Sequence, residues 1–165
     1  MPETIWTTVS SPVGELLLTG DGNCLDTLHL SDGRRPTVAV NGHRRDDDAF
    51  DEARTQLVEY FDGDRTTFEL SLAPTGTPFQ LRVWDALGKI PYAATASYGE
   101  VAAGIGSPTA SRAVGLANGR NPIAIVIPCH RVIGADGTLV GYGGGLDRKR
   151  RLLELEASGL ARHQH

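Results

Sequence analysis

A proline, a cysteine, a histidine and an arginine follow one another at Pro128-Cys129-His130-Arg131, directly after the most apolar run of the chain, 123–127. A thiolate is a strong nucleophile, and a neighbouring imidazole can remove the thiol proton near neutral pH. The β-branched run predicts a buried strand that the proline ends. Cys129 is therefore a candidate nucleophile at the end of a strand. A structural core cysteine is the alternative, because free cysteine is among the most buried residue types.

A carboxylate in the last predicted helix is the second group that could do chemistry. The helix is predicted to start at Asp147, a favourable N-cap residue, and to end near Gly159. On it, Glu156 shares a face with Leu152 and Leu153. A carboxylate on an apolar face is costly to bury unless it has a partner. An edge position that reaches solvent is the alternative.

The overall composition indicates a soluble globular protein. Of 165 residues, 40% are hydrophobic and 22% are charged, which is ordinary for such proteins. Two cysteines, Cys24 and Cys129, cannot form a disulfide framework, and free thiols favour a reducing compartment. The N-terminus lacks the basic and apolar parts of a signal peptide, and no apolar run approaches the ~20 residues of a membrane span. We therefore expect a cytoplasmic protein that does not contact the membrane.

Charge is distributed unevenly between the two parts of the chain. Residues 1–74 contain 6 arginines and lysines against 14 acidic residues, a net charge of −8. Residues 75–165 contain 10 basic and 6 acidic residues, a net charge of +4. This asymmetry favours contact with phosphates through the C-terminal part alone. Random scatter of the charges is the alternative.

The N-terminal part is predicted to be a small sheet with one helix. Short β-rich runs are separated by turn signals that contain glycine, and one stretch has helical periodicity. The predicted elements are strands at 4–9, 15–19 and 24–30, an exposed loop at 31–47, a helix at 49–61 and a further candidate strand at 68–72.

The C-terminal part is predicted to be helical. Two capping boxes, Thr77-Pro78-Phe79-Gln80 and Ser97-Tyr98-Gly99-Glu100, each start a helix. A turn at 104–107 follows the second of these, and Pro108 is predicted to start another helix that ends near Ala117. Two short helices joined by a glycine-containing turn are typical of a helix-turn-helix. An αα-corner without DNA contact has the same pattern.

The second helix of this pair carries small side chains and one long one. The small residues are Thr109, Ala110, Ser111, Ala113 and Gly115, and the long residue is Arg112. A helix that reads the major groove usually has several long polar side chains, whereas small residues allow close backbone approach and one arginine can replace a base. Tight helix–helix packing also explains the small residues, but it leaves the arginine unexplained.

Several motifs in residues 79–157 are shared with one family. They are Phe79-Gln80, Val83-Trp84, Ile90-Pro91-Tyr92, Ser97-Tyr98-Gly99-Glu100, Arg112-Ala113-Val114-Gly115, Asn121-Pro122, Ile127-Pro128-Cys129-His130-Arg131-Val132-Ile133 and Gly141-Tyr142-Gly143-Gly144-Gly145. In these motifs the chain resembles the O6-alkylguanine-DNA alkyltransferases, or methylated-DNA–protein-cysteine methyltransferases. The N-terminal part is similar only loosely, through Ser11-Pro12-Val13-Gly14 and its strand pattern.

The resemblance implies an α/β (α+β) fold in two lobes. Residues 1–74 would form a small antiparallel sheet with a helix, similar to ribonuclease H. Residues 75–165 would form a mostly helical lobe that carries the helix-turn-helix and the active-site cysteine.

The resemblance also implies a function in DNA repair. The family binds the minor groove of double-stranded DNA, flips the damaged base and moves an alkyl group from O6 of guanine, and also from O4 of thymine, to its own cysteine. The transfer is irreversible, so each molecule acts once, and it needs no cofactor. We expect a monomer in solution and leave clustering on DNA open.

The family's catalytic roles fall on five positions of this sequence. The resemblance implies that Cys129 accepts the alkyl group, His130 is the base acting through a water, Glu156 orients the histidine, Asn121 holds the cysteine-bearing turn, and Tyr98 rotates the phosphate and hydrogen-bonds the guanine.

Substrate and DNA contacts are implied in the same way. The pocket would be formed by Tyr142, Gly143, the Val132 carbonyl and Arg131. Arg112 would fill the gap left by the flipped base, and the remaining DNA-binding residues would be Tyr98, Ser97, Ala110, Ser111, Ala113 and Gly115.

Some members of the family hold a structural zinc ion in the N-terminal lobe. Cys24 and His29 are suitable ligands, but Asp21 and Asp26 stand where two further ligands would be. Structural zinc sites prefer cysteine and histidine, so the sequence predicts no metal.

Two other functions fit parts of the pattern. A lesion sensor that binds damaged DNA without transfer would lack the cysteine, so Cys129 argues against it. A thiol hydrolase or peroxidase would use Cys129 with His130 but leaves the helix-turn-helix unexplained.

Overall fold

A four-stranded sheet forms the centre of the N-terminal part. The computed structural model describes residues 4–30, 43–139 and 145–163. The strands lie in the order β3-β2-β1-β4; β1 pairs antiparallel with β2, β2 antiparallel with β3, and β4 parallel with β1. Their bounds are β1 Ile5–Val9, β2 Leu16–Gly20, β3 Leu25–Leu30 and β4 Arg44–Arg45. The three predicted strands are confirmed, whereas β4 lies inside the predicted loop 31–47, of which 31–42 fall outside the described residues.

One helix completes this lobe. After a 3₁₀ turn at Asp48–Phe50, helix α1 spans Asp51–Phe61, so the prediction of a helix at 49–61 is confirmed. The predicted strand at 68–72 is wrong apart from one bridge made by its last residue. The physical reason is a side chain of α1: Gln56 Nε2 donates to the Glu69 carbonyl (3.1 Å) and its Oε1 accepts from the Glu69 amide (2.8 Å). These bonds occupy backbone groups that a strand would use for pairing.

The described residues of the C-terminal part contain four α-helices: α2 Pro78–Leu87, α3 Tyr98–Gly104, α4 Ser111–Gly119 and α5 Leu146–His163. Both predicted capping boxes are present, at the starts of α2 and α3. Helix α4 starts three residues later than predicted, because the Ala110 amide closes a turn on the Ser107 carbonyl.

Helix α5 does not end at Gly159 as predicted but continues to His163. A Cβ atom at Gly159 would lie 2.0 Å from the hydroxyl of Tyr92. The glycine therefore marks a close approach of another side chain to the helix rather than the end of the helix.

The apolar run 123–127 is wound into a turn, so the prediction of a strand is wrong. Only Ile123 forms a β-bridge, with Leu28 of β3. Asn121 holds the ends of the run together, with Nδ2 donating to the Ile127 carbonyl (2.8 Å) and Oδ1 accepting from the Ile123 amide (3.0 Å). Ile125 has a φ of +71°, which is unusual for a β-branched residue. The run buries Ile123, Ile125 and Ile127 in alternation, as a strand would, but in a different backbone shape.

A short parallel pair joins the cysteine-bearing segment to the start of α3. Strand β5 is Ala96–Ser97 and strand β6 is Val132–Ile133, and the sequence reasoning missed both. The mixed α/β architecture predicted from the sequence is confirmed. Within the described ranges no helix is long and apolar enough to cross a membrane.

Candidate active site

The residues of the Cys-His-Arg motif form a 3₁₀ helix, Cys129–Arg131, that is almost completely buried. Cys129 is 5% exposed and His130 is fully buried. Helix α5 brings Glu156, also fully buried, against this turn, with 2.7 Å between His130 Nε2 and Glu156 Oε2. The expectation of a partner for Glu156 is confirmed, and the alternative of an edge position in solvent is wrong.

Five donors surround the Glu156 carboxylate. Oε1 accepts from Arg131 Nε (2.9 Å) and the Ala93 amide (3.1 Å). Oε2 accepts from Arg131 Nη2 (3.0 Å) and the Tyr60 hydroxyl (2.5 Å) and lies against His130 Nε2. Burial alone would raise the pKa of this carboxyl, but the hydrogen bonds and charges of His130 and Arg131 outweigh it and hold the pKa at about 2. Glu156 is therefore ionised at neutral pH.

The charge of Glu156 determines the tautomer of His130. An ionised carboxylate only accepts hydrogen bonds, so His130 Nε2 carries the hydrogen and Nδ1 keeps its lone pair. Nδ1 is buried and has no hydrogen-bond partner among the described residues. Burial lowers the pKa of His130, and the opposing effect of Glu156 does not overcome it. The imidazole is thus neutral near pH 7 and has one nitrogen available to accept a proton.

Cys129 is a thiol rather than a thiolate in this environment. Burial raises its pKa, while the Asn121 side chain and the positive charge of Lys149 oppose that rise. The single buried 3₁₀ turn on which Cys129 lies does not offset the cost of desolvating a thiolate. The cysteine therefore needs a base to lose its proton.

Lys149 is a member of the site that the sequence reasoning missed. It is fully buried on α5, and its Nζ donates to the Val132 carbonyl at 2.5 Å. Burial lowers the pKa of this ammonium group. Its spacing could have revealed it, because Lys149, Leu152 and Glu156 fall on one helical face at i, i+3 and i+7. The Val132 carbonyl, a predicted pocket group, thus already accepts one hydrogen bond.

Arg131 occupies a different place from the one predicted. Its side chain is 7% exposed, and its three nitrogens donate to Glu156 and, through Nη1 at 2.7 Å, to the Ile90 carbonyl. Because all three nitrogens of the Arg131 guanidinium donate to Glu156 or to the Ile90 carbonyl, this side chain holds the carboxylate and is not directed to a substrate. The expectation that Arg131 lines the pocket is corrected accordingly.

Two further donors to Glu156 come from outside the motif. The Ala93 amide reaches Glu156 because Ala93 has a φ of +65°, a conformation that its residue type gives no reason to expect. Tyr60 comes from α1, where it lies on the buried face with Ala53 and Leu57. Its place on that face predicts burial, but nothing in the sequence predicts its contact with α5.

Helix α4 has one buried side and one exposed side. On the buried side, the Ala117 carbonyl accepts from Trp84 Nε1 (2.9 Å), and Asn118 Nδ2 reaches the Cys129 carbonyl (3.4 Å). The opposite side, which we call the outer face of α4, consists of Arg112, Ala113 and Leu116, all exposed. The helix therefore connects the cysteine turn to the surface.

The other predicted DNA-binding residues lie around the same helix. Ala110, Ser111 and Gly115 are half-buried. A Cβ atom at Gly115 would lie 3.7 Å from the ring of Tyr98, which is an ordinary van der Waals distance, so packing against Tyr98 does not require a glycine there. The Ser97 hydroxyl accepts from the Glu100 amide as the cap of α3.

Tyr98 is half-buried at the start of α3. Burial and the nearby Cys129 raise its pKa, so its hydroxyl is a neutral donor beside the cysteine. Two predicted pocket residues, Tyr142 and Gly143, lie outside the described residues.

Asp21 and Asp26, on which the prediction of no metal rests, both accept hydrogen bonds from neighbouring residues. Asp21 Oδ1 accepts from the amides of Asn23 and Cys24, each at 2.8 Å. Asp26 accepts from the Thr19 hydroxyl. No group of three or more potential metal ligands occurs within 4–30, 43–139 and 145–163.

Comparison with known proteins places the chain in a family. The model of the family described as "6-O-methylguanine DNA methyltransferase, ribonuclease-like domain" matches residues 4–74. The model described as "6-O-methylguanine DNA methyltransferase, DNA binding domain" matches residues 78–158. The chain belongs to the 6-O-methylguanine DNA methyltransferase family. The resemblance noted in the sequence is thereby confirmed.

Relatives of this family in bacteria and archaea match over most of their length. The methylated-DNA–protein-cysteine methyltransferase of Mycobacterium leprae is 55% identical over 148 residues, covering 90% of this chain and 89% of that protein. The protein of the same name from Methanosarcina acetivorans is 51% identical, with 90% and 95% covered. The crystal structure of Mycobacterium tuberculosis OGT in complex with DNA is similar with a TM-score of 0.87 and 53% identity, covering 94% of both chains.

Proposed function

We propose that this protein repairs alkylated DNA by moving the alkyl group from O6 of guanine to its own Cys129, once per molecule. Membership of the methyltransferase family supports the reaction, and relatives more than half identical carry that activity in their names. The observation that carries the assignment to Cys129 is the neutral His130 beside it, with Nδ1 unpaired among the described residues and Nε2 fixed by an ionised Glu156. This is a nucleophile, a base and a group that orients the base.

The chemical step follows from these protonation states. The Cys129 thiol gives its proton through a water to His130 Nδ1, and the thiolate attacks the alkyl carbon. An S–C bond forms while the C–O6 bond breaks, and the electron pair of that bond stays with the guanine. The proton finally rests on N1 of the restored guanine. The product thioether does not release its alkyl group, so the protein is consumed.

The surrounding residues hold this geometry. Glu156 fixes the His130 tautomer and stabilises the imidazolium that forms briefly. Arg131 holds the Glu156 carboxylate, and Lys149 holds the Val132 carbonyl. Asn121 closes the turn that presents Cys129, since it binds both the Ile123 amide and the Ile127 carbonyl. These bonds keep the reacting groups in place before the substrate arrives.

Double-stranded DNA is the proposed partner, bound through the C-terminal lobe at 75–165, with the acidic lobe at 1–74 away from the phosphates. Arg112 on the outer face of α4 would enter the minor groove and replace the flipped base. Small neighbours, Ala110, Ser111, Ala113 and Gly115, would let the helix backbone approach the DNA closely. The similar OGT structure in complex with DNA supports this partner.

The flipped base would be held beside the cysteine. Tyr98 would hydrogen-bond the guanine and turn the phosphate, assisted by Ser97, while Tyr142, Gly143 and the remaining acceptor site of the Val132 carbonyl would form the pocket. The proposed oligomeric state is a monomer, and free cysteines in a reducing environment make the cytoplasm the proposed location.

Repair of a known amount of lesion tests the function. The protein is mixed with a tenfold excess of a duplex that contains one O6-methylguanine per molecule, and restored guanine is counted. We expect restored guanine equal to the amount of protein, after which the reaction stops. Continued turnover, or ester or peroxide turnover without any guanine repair, would contradict the proposal and favour a thiol hydrolase or peroxidase.

A further inference from the structure

Tyr60 connects the N-terminal lobe to the carboxylate of Glu156. Among the described residues it is the one donor to Glu156 that comes from 1–74; the others come from Ala93, His130 and Arg131. Its hydroxyl lies 2.5 Å from Glu156 Oε2, across 96 positions of sequence. The N-terminal lobe therefore reaches the carboxylate that orients the base.

The side chain of Tyr60 is held firmly in this position. It is fully buried, and its ring packs against Phe61, Phe68 and Tyr92 at centroid distances of 5.1, 5.3 and 6.3 Å. Burial, followed by the negative charge of Glu156, raises its pKa far above the usual range. The hydroxyl is therefore protonated near neutral pH, and it donates its hydrogen to Glu156.

Tyr60 and His130 donate to the same oxygen. Glu156 Oε2 accepts from the hydroxyl at 2.5 Å and lies 2.7 Å from His130 Nε2. A hydrogen bond from the Tyr60 hydroxyl partly neutralises the negative charge of the carboxylate oxygen. The carboxylate then stabilises a positively charged imidazolium less strongly. The same bond fixes the direction in which the carboxylate faces the histidine.

We propose that Tyr60 is a positioning residue for the alkyl transfer, and that its hydroxyl sets how readily His130 accepts a proton by fixing and partly neutralising Glu156 Oε2. The N-terminal lobe thus acts on the base through Glu156. This inference rests on the proposed function, in which His130 is the base.

Other charged and titratable groups also face the histidine and the carboxylate. They are Tyr92 from the segment after α2, Arg131 from the 3₁₀ helix, and Lys149 from α5; Cys129 is the sequence neighbour of His130. Arg131 and Lys149 lower the pKa of His130 by their charge, and Glu156 raises it. All of these groups are retained when the Tyr60 hydroxyl alone is removed, so a change in His130 is then assigned to that hydroxyl.

The test is the pH dependence of single-turnover methyl transfer from an O6-methylguanine duplex to the full-length protein. In Tyr60→Phe the carboxylate keeps more charge towards His130, which becomes protonated at higher pH. We expect the acid limb of the pH–rate profile to move to higher pH by about one unit. On the alkaline side, the rate of transfer should change by less than about threefold. Tyr92→Phe is the matched control, because its hydroxyl is buried nearby but has no hydrogen-bond partner among the described residues. Its acid limb should coincide with that of the original protein.

A second substitution covers the case in which Tyr60→Phe does not fold. Fluorotyrosine placed at position 60 keeps the ring and makes the hydroxyl a stronger donor, so the acid limb should move to lower pH. An unmoved limb in either Tyr60 variant, or an equal shift in Tyr92→Phe, would overturn the inference. If the original protein transfers no methyl group, the proposed function itself fails, which is a distinct result.

Discussion

The buried carboxylate cluster and the outer face of α4 are built on opposite principles. The cluster consists of Tyr60, Ala93, His130, Arg131 and Glu156. Five hydrogen-bond donors surround its carboxylate, and its charged side chains are almost completely buried. The outer face of α4 has exposed side chains, and its Leu116 is 65% exposed. The carboxylate cluster is held in place by its own hydrogen bonds before any substrate binds, whereas the outer face of α4 presents exposed side chains to the solvent.

The difference indicates how changes in each region should act. Each member of the cluster holds a neighbour as well as itself, so removing one leaves buried polar groups without partners and affects stability and chemistry together. The exposed side chains of the outer face do not hold buried polar groups in place, so substitutions there should affect only reactions that involve a duplex. Substitutions in the two regions can test this contrast.

The largest effect is expected from the cysteine that the cluster serves. Cys129→Ser should lower methyl transfer by more than about 10³-fold, because a serine hydroxyl beside this base is a far weaker nucleophile. Binding to an O6-methylguanine duplex should persist, as measured by fluorescence anisotropy. Cys24→Ser, at the other cysteine, is the matched control and should transfer at the original rate. Transfer retained by Cys129→Ser would refute the assignment.

A change in the cluster should affect stability as well as rate. Glu156→Gln keeps the size of the side chain but removes the charge that pairs with Arg131, which we expect to lower the free energy of unfolding by about 3–5 kcal/mol. Single-turnover transfer should also slow by at least about tenfold, since His130 loses its orienting charge. Glu154→Gln, on the exposed side of the same helix, should change neither quantity. Equal effects of the two substitutions would contradict the account.

Lowering the pH should remove the cluster's contribution to the stability of the fold over a defined pH range. The pKa of Glu156 is lowered from 4.5 to about 2 in the folded protein, so its contribution is complete above pH 4.5 and is lost as the pH falls towards 2. The shift corresponds to about 3 kcal/mol. The pKa of His130 is also lowered, so the folded protein resists its protonation and loses further stability as the pH falls below 6.5. Urea unfolding at a series of pH values should show this decline.

The comparison with Glu156→Gln isolates the carboxylate. The gap in unfolding free energy between the original protein and this variant should narrow as the pH falls from 4.5 towards 2. A gap that stays constant over that range would mean that the charge of Glu156 is not what stabilises the cluster.

The smallest expected effect lies on the outer face of α4. Arg112→Ala should slow transfer from a duplex by about tenfold, because the flipped base leaves a gap that alanine does not fill. Reaction with free O6-benzylguanine should change by less than about twofold, and the stability should not change. Arg120→Ala removes the same charge from an exposed arginine at the end of the helix and should leave the duplex-to-free-base ratio unaltered. A uniform slowing by Arg112→Ala would exclude a role in base replacement.

The same contrast explains what the sequence could predict. Capping boxes and short alternating strands are local signals, so α2, α3 and the three antiparallel strands are found where expected. The β-branched run at 123–127 predicts a strand, but the hydrogen bonds of the Asn121 side chain hold it in a turn.

For the site, the motif and the apolar face of α5 identify Cys129, His130 and Glu156. Tyr60 and Ala93 could not be found in this way. Their contacts with Glu156 span 96 and 63 positions, and one of them depends on a backbone conformation that alanine rarely adopts. Long-range contacts that depend on packing leave no periodic signal in the sequence.

The most direct test of the central claim is the place of the methyl group after reaction. The protein is incubated with an O6-methylguanine duplex, digested, and its peptides are measured by mass spectrometry. We predict one added methyl group per molecule, on the peptide that contains Cys129, and an unmodified Cys24 peptide. A methyl group on Cys24, or restored guanine with no modified Cys129, would contradict the account.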